Sequence, residues 1–276
     1  MSRTTSKRIQ FYLASSFVIV IMFGLLMLLT IFTTYTEGAQ MHDTLAQHIM
    51  LAPEVETEAL YVPDEELEEP IEEYVPEETF PLPYGVVLPE VDWDALREIN
   101  PNAIAWIILE GTPINYPIVQ GENNYHYLNH LFDGRRNRGG TIFADTYNRS
   151  GFRDHNTILY GHNMRDGSMF AAIRNFREQG FFDAHPMAFL LTPERNYVIR
   201  FFAGHTTEVG SPNWQIRFTG EAEFAAWIEE NRLLSDFVSD VEVSASNRVV
   251  TLATCTTSWE FDDVRYVVVG RLMPIG

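Results

Sequence analysis

Twenty-two consecutive uncharged residues, Phe11 to Phe32, constrain this chain more than any other feature. A helix needs about twenty apolar residues to cross the hydrocarbon core of a bilayer, and this run, which contains FVIVIMFGLLMLLTIF, has that length. A secretory signal peptide is the competing reading. Its apolar stretch is usually about 7–15 residues and ends in a small-x-small cleavage site, which Thr33-Thr34-Tyr35-Thr36-Glu37 does not supply. The run is therefore expected to be an uncleaved transmembrane signal anchor over 11–32. Arg3, Lys7 and Arg8 precede it, and no further Lys or Arg occurs before Arg97. The positive-inside rule keeps residues 1–10 in the cytoplasm and sends the rest outside. The expectation is a single-pass plasma-membrane protein with an extracellular C-terminal part.

Charge divides that part further. Residues 1–85 hold three basic and fourteen acidic residues, a net of −11, which leaves −8 of the total −19 for residues 86–276. A net charge of −19 excludes a nucleic-acid binder, which needs a basic face to neutralise phosphates. Residues 53–85 hold twelve acidic residues and six prolines. Self-repulsion extends such a segment and proline denies it helix and sheet, so 33–85 reads as an acidic tether. Within it, residues 36–52 could open as a short helix.

From Val86 the pattern becomes that of a folded domain. Asp92 is placed to cap a short helix over VDWDALREIN, with Leu96 facing inward. Apolar runs rich in Val, Ile, Phe and Tyr then recur between Gly, Pro, Asn and Asp turns: AWIILE, INYPIVQ, GTIFA, NTILY, MAFLLT, NYVIRFFAG, RVVTLAT and VRYVVVGRL. Helical spacing interrupts them twice. SMFAAIRNFREQG aligns Phe170, Ile173 and Phe176, and EAEFAAWIEENRLLSDF aligns Phe224, Trp227, Ile228 and Leu234. About eight strands with short helical insertions predict a mainly β, closed and mostly antiparallel barrel over 86–276.

Cys255 is the only cysteine, so no internal disulfide framework or multi-cysteine metal site exists. It ends an apolar strand and is followed at once by Thr256, Thr257 and Ser258. A thiol there is either buried filler or a nucleophile, and a nucleophile needs a nearby cation or proton acceptor. Arg265 opens the next strand, so a hairpin returns it to Cys255, where it can stabilise a thiolate or an oxyanion; the bland alternative is a surface pairing with Asp262 or Asp263. His162 follows the NTILY strand and a glycine, at a strand end where loops carry function. His126 and His130 are spaced i,i+4 as metal ligands on a helix can be, but no third ligand is apparent and no metal is expected.

T-L-A-T-C at 251–255, Arg265 in VRYVVVG and Y-G-H-N at 160–163 together resemble the sortases, specifically class B. INYPIVQG at 114–121, GTIFAD at 140–145, NTILYGHNMRDGSMF at 156–170 and the helix at 221–237 extend the resemblance over about 90–275. One departure is Ala253, where many class B members carry serine, a loss of a hydroxyl near the substrate groove. The resemblance implies a sortase-type barrel and a cysteine transpeptidase without cofactors. Cys255 attacks the carbonyl after a threonine in a C-terminal sorting signal and forms a thioacyl enzyme. His162 serves as general acid and base. Arg265 holds the oxyanion, with the Thr256 amide as a second donor, and Asn124, Tyr160 and Trp214 line the groove. The implied partners are secreted proteins bearing a sorting signal, with a peptidoglycan precursor or a pilin lysine as acceptor amine. A cysteine hydrolase and a membrane-tethered binding module with a structural Cys255 are the competing readings.

Overall fold

The computed structural model describes residues 3–51, 78–82, 86–255 and 263–276. Eight strands form one closed barrel: β3 (Ala103–Ile108), β4 (Asn115–Val119), β5 (Ile142–Ala144), β6 (Asn156–Tyr160), β7 (Met187–Leu191), β8 (Tyr197–Glu208), β9 (Arg248–Cys255) and β10 (Val264–Pro274); two strands outside it, β1 (Ile49–Leu51) and β2 (Pro89–Val91), pair with each other. The barrel order is β10-β8-β7-β3-β4-β5-β6-β9, and each of the eight expected apolar runs supplies one strand. Pairing is antiparallel except for β4 with β5 and β6 with β9.

The strands read as continuous apolar runs because both of their faces are covered. Alternate residues of β3 and β8 show this: Ile107 and Phe201 point into the barrel, while Trp106 and Phe202 pack outside it. Inside, Phe170, Ile173 and Phe176 join Leu159, Val250, Leu252 and Val268. Outside, helix α4 (Glu221–Leu234) lays Phe224, Trp227 and Ile228 on Phe202, Val249 and Val269.

Two sequence expectations change in detail, and a third holds. The segment after Asp166-Gly167 is a 3-10 helix, Ala171–Arg177, followed by the short α3 (Gln179–Ala184), with the aromatic residues buried as expected. On α4 the inward stripe continues to Asn231, fully buried, whereas Leu234 ends the helix and is 48% exposed. Asn231 can be buried because its amide donates to the Trp227 carbonyl (2.8 Å) and its oxygen meets His205 Nε2 (2.9 Å). Helix α2 (Trp93–Ile99) forms as expected, its first turn capped by Asp92, which accepts from the Ala95 amide at 2.9 Å.

The largest revision concerns the tether. The first helix, α1, runs Arg3–Ala46 rather than stopping at 32. Its last turns belong to the barrel body: Leu45 is fully buried with Leu96, Trp106, Tyr127 and Phe143, and β1 pairs with β2. On the far side of the acidic run, Phe80 bridges Ile275 and Glu78 pairs with Arg271. Both flanks of that run thus pack against the barrel body, while residues 52–77 and 83–85 themselves lie outside the described residues. Among the residues whose side chains are described, no helix is long and apolar enough to cross a membrane. That description takes in only part of the 11–32 run, including Ile19 to Thr30.

His42, on the docked part of α1, packs edge-on against Tyr116 with ring centroids 4.5 Å apart. Burial, only partly opposed by the charges of Asp43 and Asp166, lowers its pKa from 6.5 to about 4. The unfolded state therefore takes up a proton first as pH falls, so this contribution to stability is complete above pH 6.5 and lost between 6.5 and 4. Unfolding free energies measured across that range should fall by a few kcal/mol in the wild type, and by distinctly less in His42→Phe. Equal losses in the two proteins would remove His42 as the cause.

Candidate active site

The site lies where β6, β9 and β10 run out at one end of the barrel. In the β9–β10 ladder Arg265 stands directly across from Cys255. On the other side of β9 the parallel partner β6 pairs Tyr160 with Ala253. The Gly161 amide then donates to the Ala253 carbonyl (3.1 Å), and the Thr254 hydroxyl donates to the Gly161 carbonyl (2.8 Å). β6 ends at Tyr160, and His162 follows one residue beyond Gly161. No side chain fits at Gly161, since a Cβ there would lie 2.5 Å from Ile142 Cδ1 and 2.6 Å from Phe170 Cγ.

A groove of about 500 Å³ opens at this rim, and five of the expected site residues line it: Asn124, Tyr160, His162, Trp214 and Arg265. Leu128, Phe143 and Ala253 add apolar wall. Thr256 lies outside the described residues. The walls are held from behind. Tyr160 stacks on Trp214 with centroids 6.0 Å apart and planes 21° from parallel, and the Trp214 indole donates to the Glu208 carbonyl at 2.8 Å. Burial first, then the neighbouring Asp145 carboxylate, push the Tyr160 phenol well above its ordinary pKa, so it is a neutral hydrogen-bond donor at any working pH.

His162 is half-buried, and its Nε2 lies 2.7 Å from the Leu128 carbonyl. A carbonyl can only accept, so Nε2 carries the proton in the neutral ring. Nδ1 is then the atom with a free lone pair for proton transfer. Leu128 ends a 3-10 turn, His126–Leu128. His126 and His130 stack on each other 4.1 Å apart, and among the described residues no group of three metal-ligating side chains exists.

Sequence reasoning missed Leu128, whose contribution is a backbone oxygen, and Asp145, which it quoted within GTIFAD without a role. An acidic residue at a strand end reads as an ordinary turn former, and nothing local distinguishes it.

A closed barrel of this order, with an imidazole and a guanidinium in a rim groove beside a strand-end cysteine, is the architecture of a sortase. No protein-family model matches the chain. Sortase B of Listeria monocytogenes is 35% identical over 178 residues, which cover 64% of this chain and 72% of that protein. The Staphylococcus aureus sortase B–substrate complex aligns with a TM-score of 0.63 at 31% identity, covering 66% of this chain and 85% of that one. Sortase B of B. anthracis in complex with AAEK1 aligns with a TM-score of 0.67 at 27% identity, over 88% of this chain and 99% of that one. The chain belongs to the sortase B family and is a sortase-type cysteine transpeptidase.

The tautomer of His162 is open to direct measurement. In nitrogen-15 NMR of the neutral protein, its Nε2 should show the protonated shift and Nδ1 the unprotonated one. A protonated Nδ1 would mean that the Leu128 contact does not hold the ring.

Proposed function

We propose that the protein cleaves a threonine-containing C-terminal sorting signal and joins the released protein to an amine of the cell wall or of a pilin. What supports this reading is that Arg265 pairs with Cys255 across β9 and β10, while His162, just beyond the end of β6, lines the same groove as Arg265. His162 Nδ1 takes the thiol proton, and the thiolate adds to the carbonyl carbon after the threonine. The resulting oxyanion is held by the Arg265 guanidinium and the Thr256 amide. Collapse breaks the C–N bond as His162 returns the proton to the departing amine, leaving a thioacyl enzyme. The acceptor amine then gives a proton to His162 as it attacks the thioester, and Cys255 departs. The groove walls of Asn124, Tyr160 and Trp214 hold the signal.

This chemistry suits a membrane face, where a signal-bearing client and a lipid-linked wall precursor both arrive. Anchoring through residues 11–32, with the N-terminus cytoplasmic and the barrel outside, is supported by large apolar side chains from Phe17 to Phe32 that α1 leaves exposed.

A quenched fluorogenic peptide library with one fixed internal threonine supplies the assay, with and without added amine nucleophiles. Cys255→Ala should abolish cleavage while leaving the fold intact. Turnover near the wild-type rate in that variant would remove Cys255 as nucleophile, and cleavage by the wild type that no amine accelerates would favour hydrolysis over transfer.

Arg265→Lys separates charge from geometry. Lysine supplies the charge but not the planar fork of donors, so turnover should fall about a hundred- to a thousandfold, the usual cost of one oxyanion donor (about 2.7–4 kcal/mol), while thiol alkylation across pH stays near normal. Activity largely restored by lysine, together with a shifted thiol titration in Arg265→Ala, would reassign Arg265 to activating the thiol.

A further inference from the structure

Asp145 follows β5, and its carboxylate, 5% exposed, sits behind the groove rather than in it. One of its oxygens, Oδ2, accepts from two groove residues at once: the Tyr160 hydroxyl at 2.8 Å and the Asn124 amide nitrogen at 2.9 Å. The other, Oδ1, accepts from the Tyr147 backbone amide at 2.8 Å. Asn124 is held at both ends, because its side-chain oxygen accepts from the Thr146 amide at 2.9 Å. These bonds leave no ambiguity in the amide's orientation: its nitrogen faces the carboxylate and its oxygen faces the backbone.

Tyr160 and Asn124 come from different parts of the chain, the end of β6 and the loop before the 3-10 turn. Neither contacts the other through a bond of its own; the shared carboxylate oxygen is their connection. Tyr160 in turn stacks on Trp214. Fixing one oxygen therefore sets three walls of the groove. A neutral acceptor cannot do this equally well, since bonds to an ionised group are shorter and roughly twice as strong.

We infer that Asp145 is a positioning residue for substrate recognition, a buried anionic clamp that presets Asn124 and Tyr160 in the geometry that grips the signal peptide. It touches neither the peptide nor the reacting atoms and acts through the two side chains it holds. This rests on the proposed use of the groove.

The decisive variant is Asp145→Asn, which keeps the volume. Whichever way the new amide turns, its NH2 faces a donor: either the Tyr147 amide or the pair Tyr160 and Asn124. With the best-cleaved peptide of the threonine library, KM should rise roughly ten- to a hundredfold, the range set by hydrogen bonds to charged groups, while kcat changes far less. The Tyr160 hydroxyl proton, observed by NMR and assigned against Tyr160→Phe, should exchange faster with solvent and shift upfield once the carboxylate that accepts it is gone. That readout needs no peptide, so it remains informative even if the wild type cleaves none of the library, an outcome that would overturn the proposed function and leave the clamp to be judged on the hydroxyl proton. Unchanged KM, a loss confined to kcat, or an unmoved hydroxyl proton would each overturn the clamp. Should Asp145→Asn fail to fold, Tyr160→Phe and Asn124→Ala supply the test singly and together: effects on KM that fail to add indicate coupling through the shared oxygen, and strictly additive effects refute it.

Discussion

The parallel pairing of β6 with β9 is the constraint on which the site depends. Parallel neighbours need a long crossover, and antiparallel neighbours a short turn; β9 has one of each, β6 on one side and β10 on the other. Parallel strands end at the same rim, so residues just beyond β6 emerge beside the end of β9. The antiparallel partner begins where β9 ends, which returns Arg265 to the same place. Three strand ends are thus brought together by backbone hydrogen bonds alone, before any side chain of the site makes a contact. The barrel must close for this to hold, because β9 is reached from β6 only through the crossover that contains β7, β8 and α4.

That topology also explains how far the sequence could be read. The eight strands were legible because a barrel covered on both faces demands unbroken apolar runs, and β-branched and aromatic residues supply them. Cys255 and Arg265 were legible as a pair because a hairpin is local. His162 was not legible by spacing, since a parallel register joins residues far apart in the chain and leaves no periodic trace; its place after a strand and a glycine made it a candidate among eight histidines, and the resemblance gave it a role. Asp145 was hidden for a related reason. Its two partners lie 21 and 15 residues away, and a carboxylate that accepts from neutral donors has no opposite charge nearby in sequence to betray it. Leu128 acts through a carbonyl that every residue possesses.

Where the local reading erred, tertiary packing overrode spacing. Leu234 continues the apolar pattern of α4 but falls where the chain turns away at Ser235, while Asn231 one turn earlier is drawn inward because His205 and the Trp227 carbonyl satisfy it. The acidic, proline-rich run looked like a spacer because its composition forbids a core. Composition does not reveal that both flanks of the run are fastened to the same body.

The docking of α1 has a mechanical corollary. A helix whose last turns share the barrel's core has no joint there: Leu45 and the β1–β2 pair weld it in place. The exposed apolar side chains between Phe17 and Phe32 and the docked last turns lie on one continuous helix, so the number of residues between them sets their rotational phase. An α-helix turns about 100° and rises about 1.5 Å per residue. Adding or removing a single residue between Phe32 and Met41 swings the groove about a quarter-turn around the helix axis and barely changes its height. The length of that short stretch therefore sets the compass bearing of the groove, and length rather than composition is the property it has to keep.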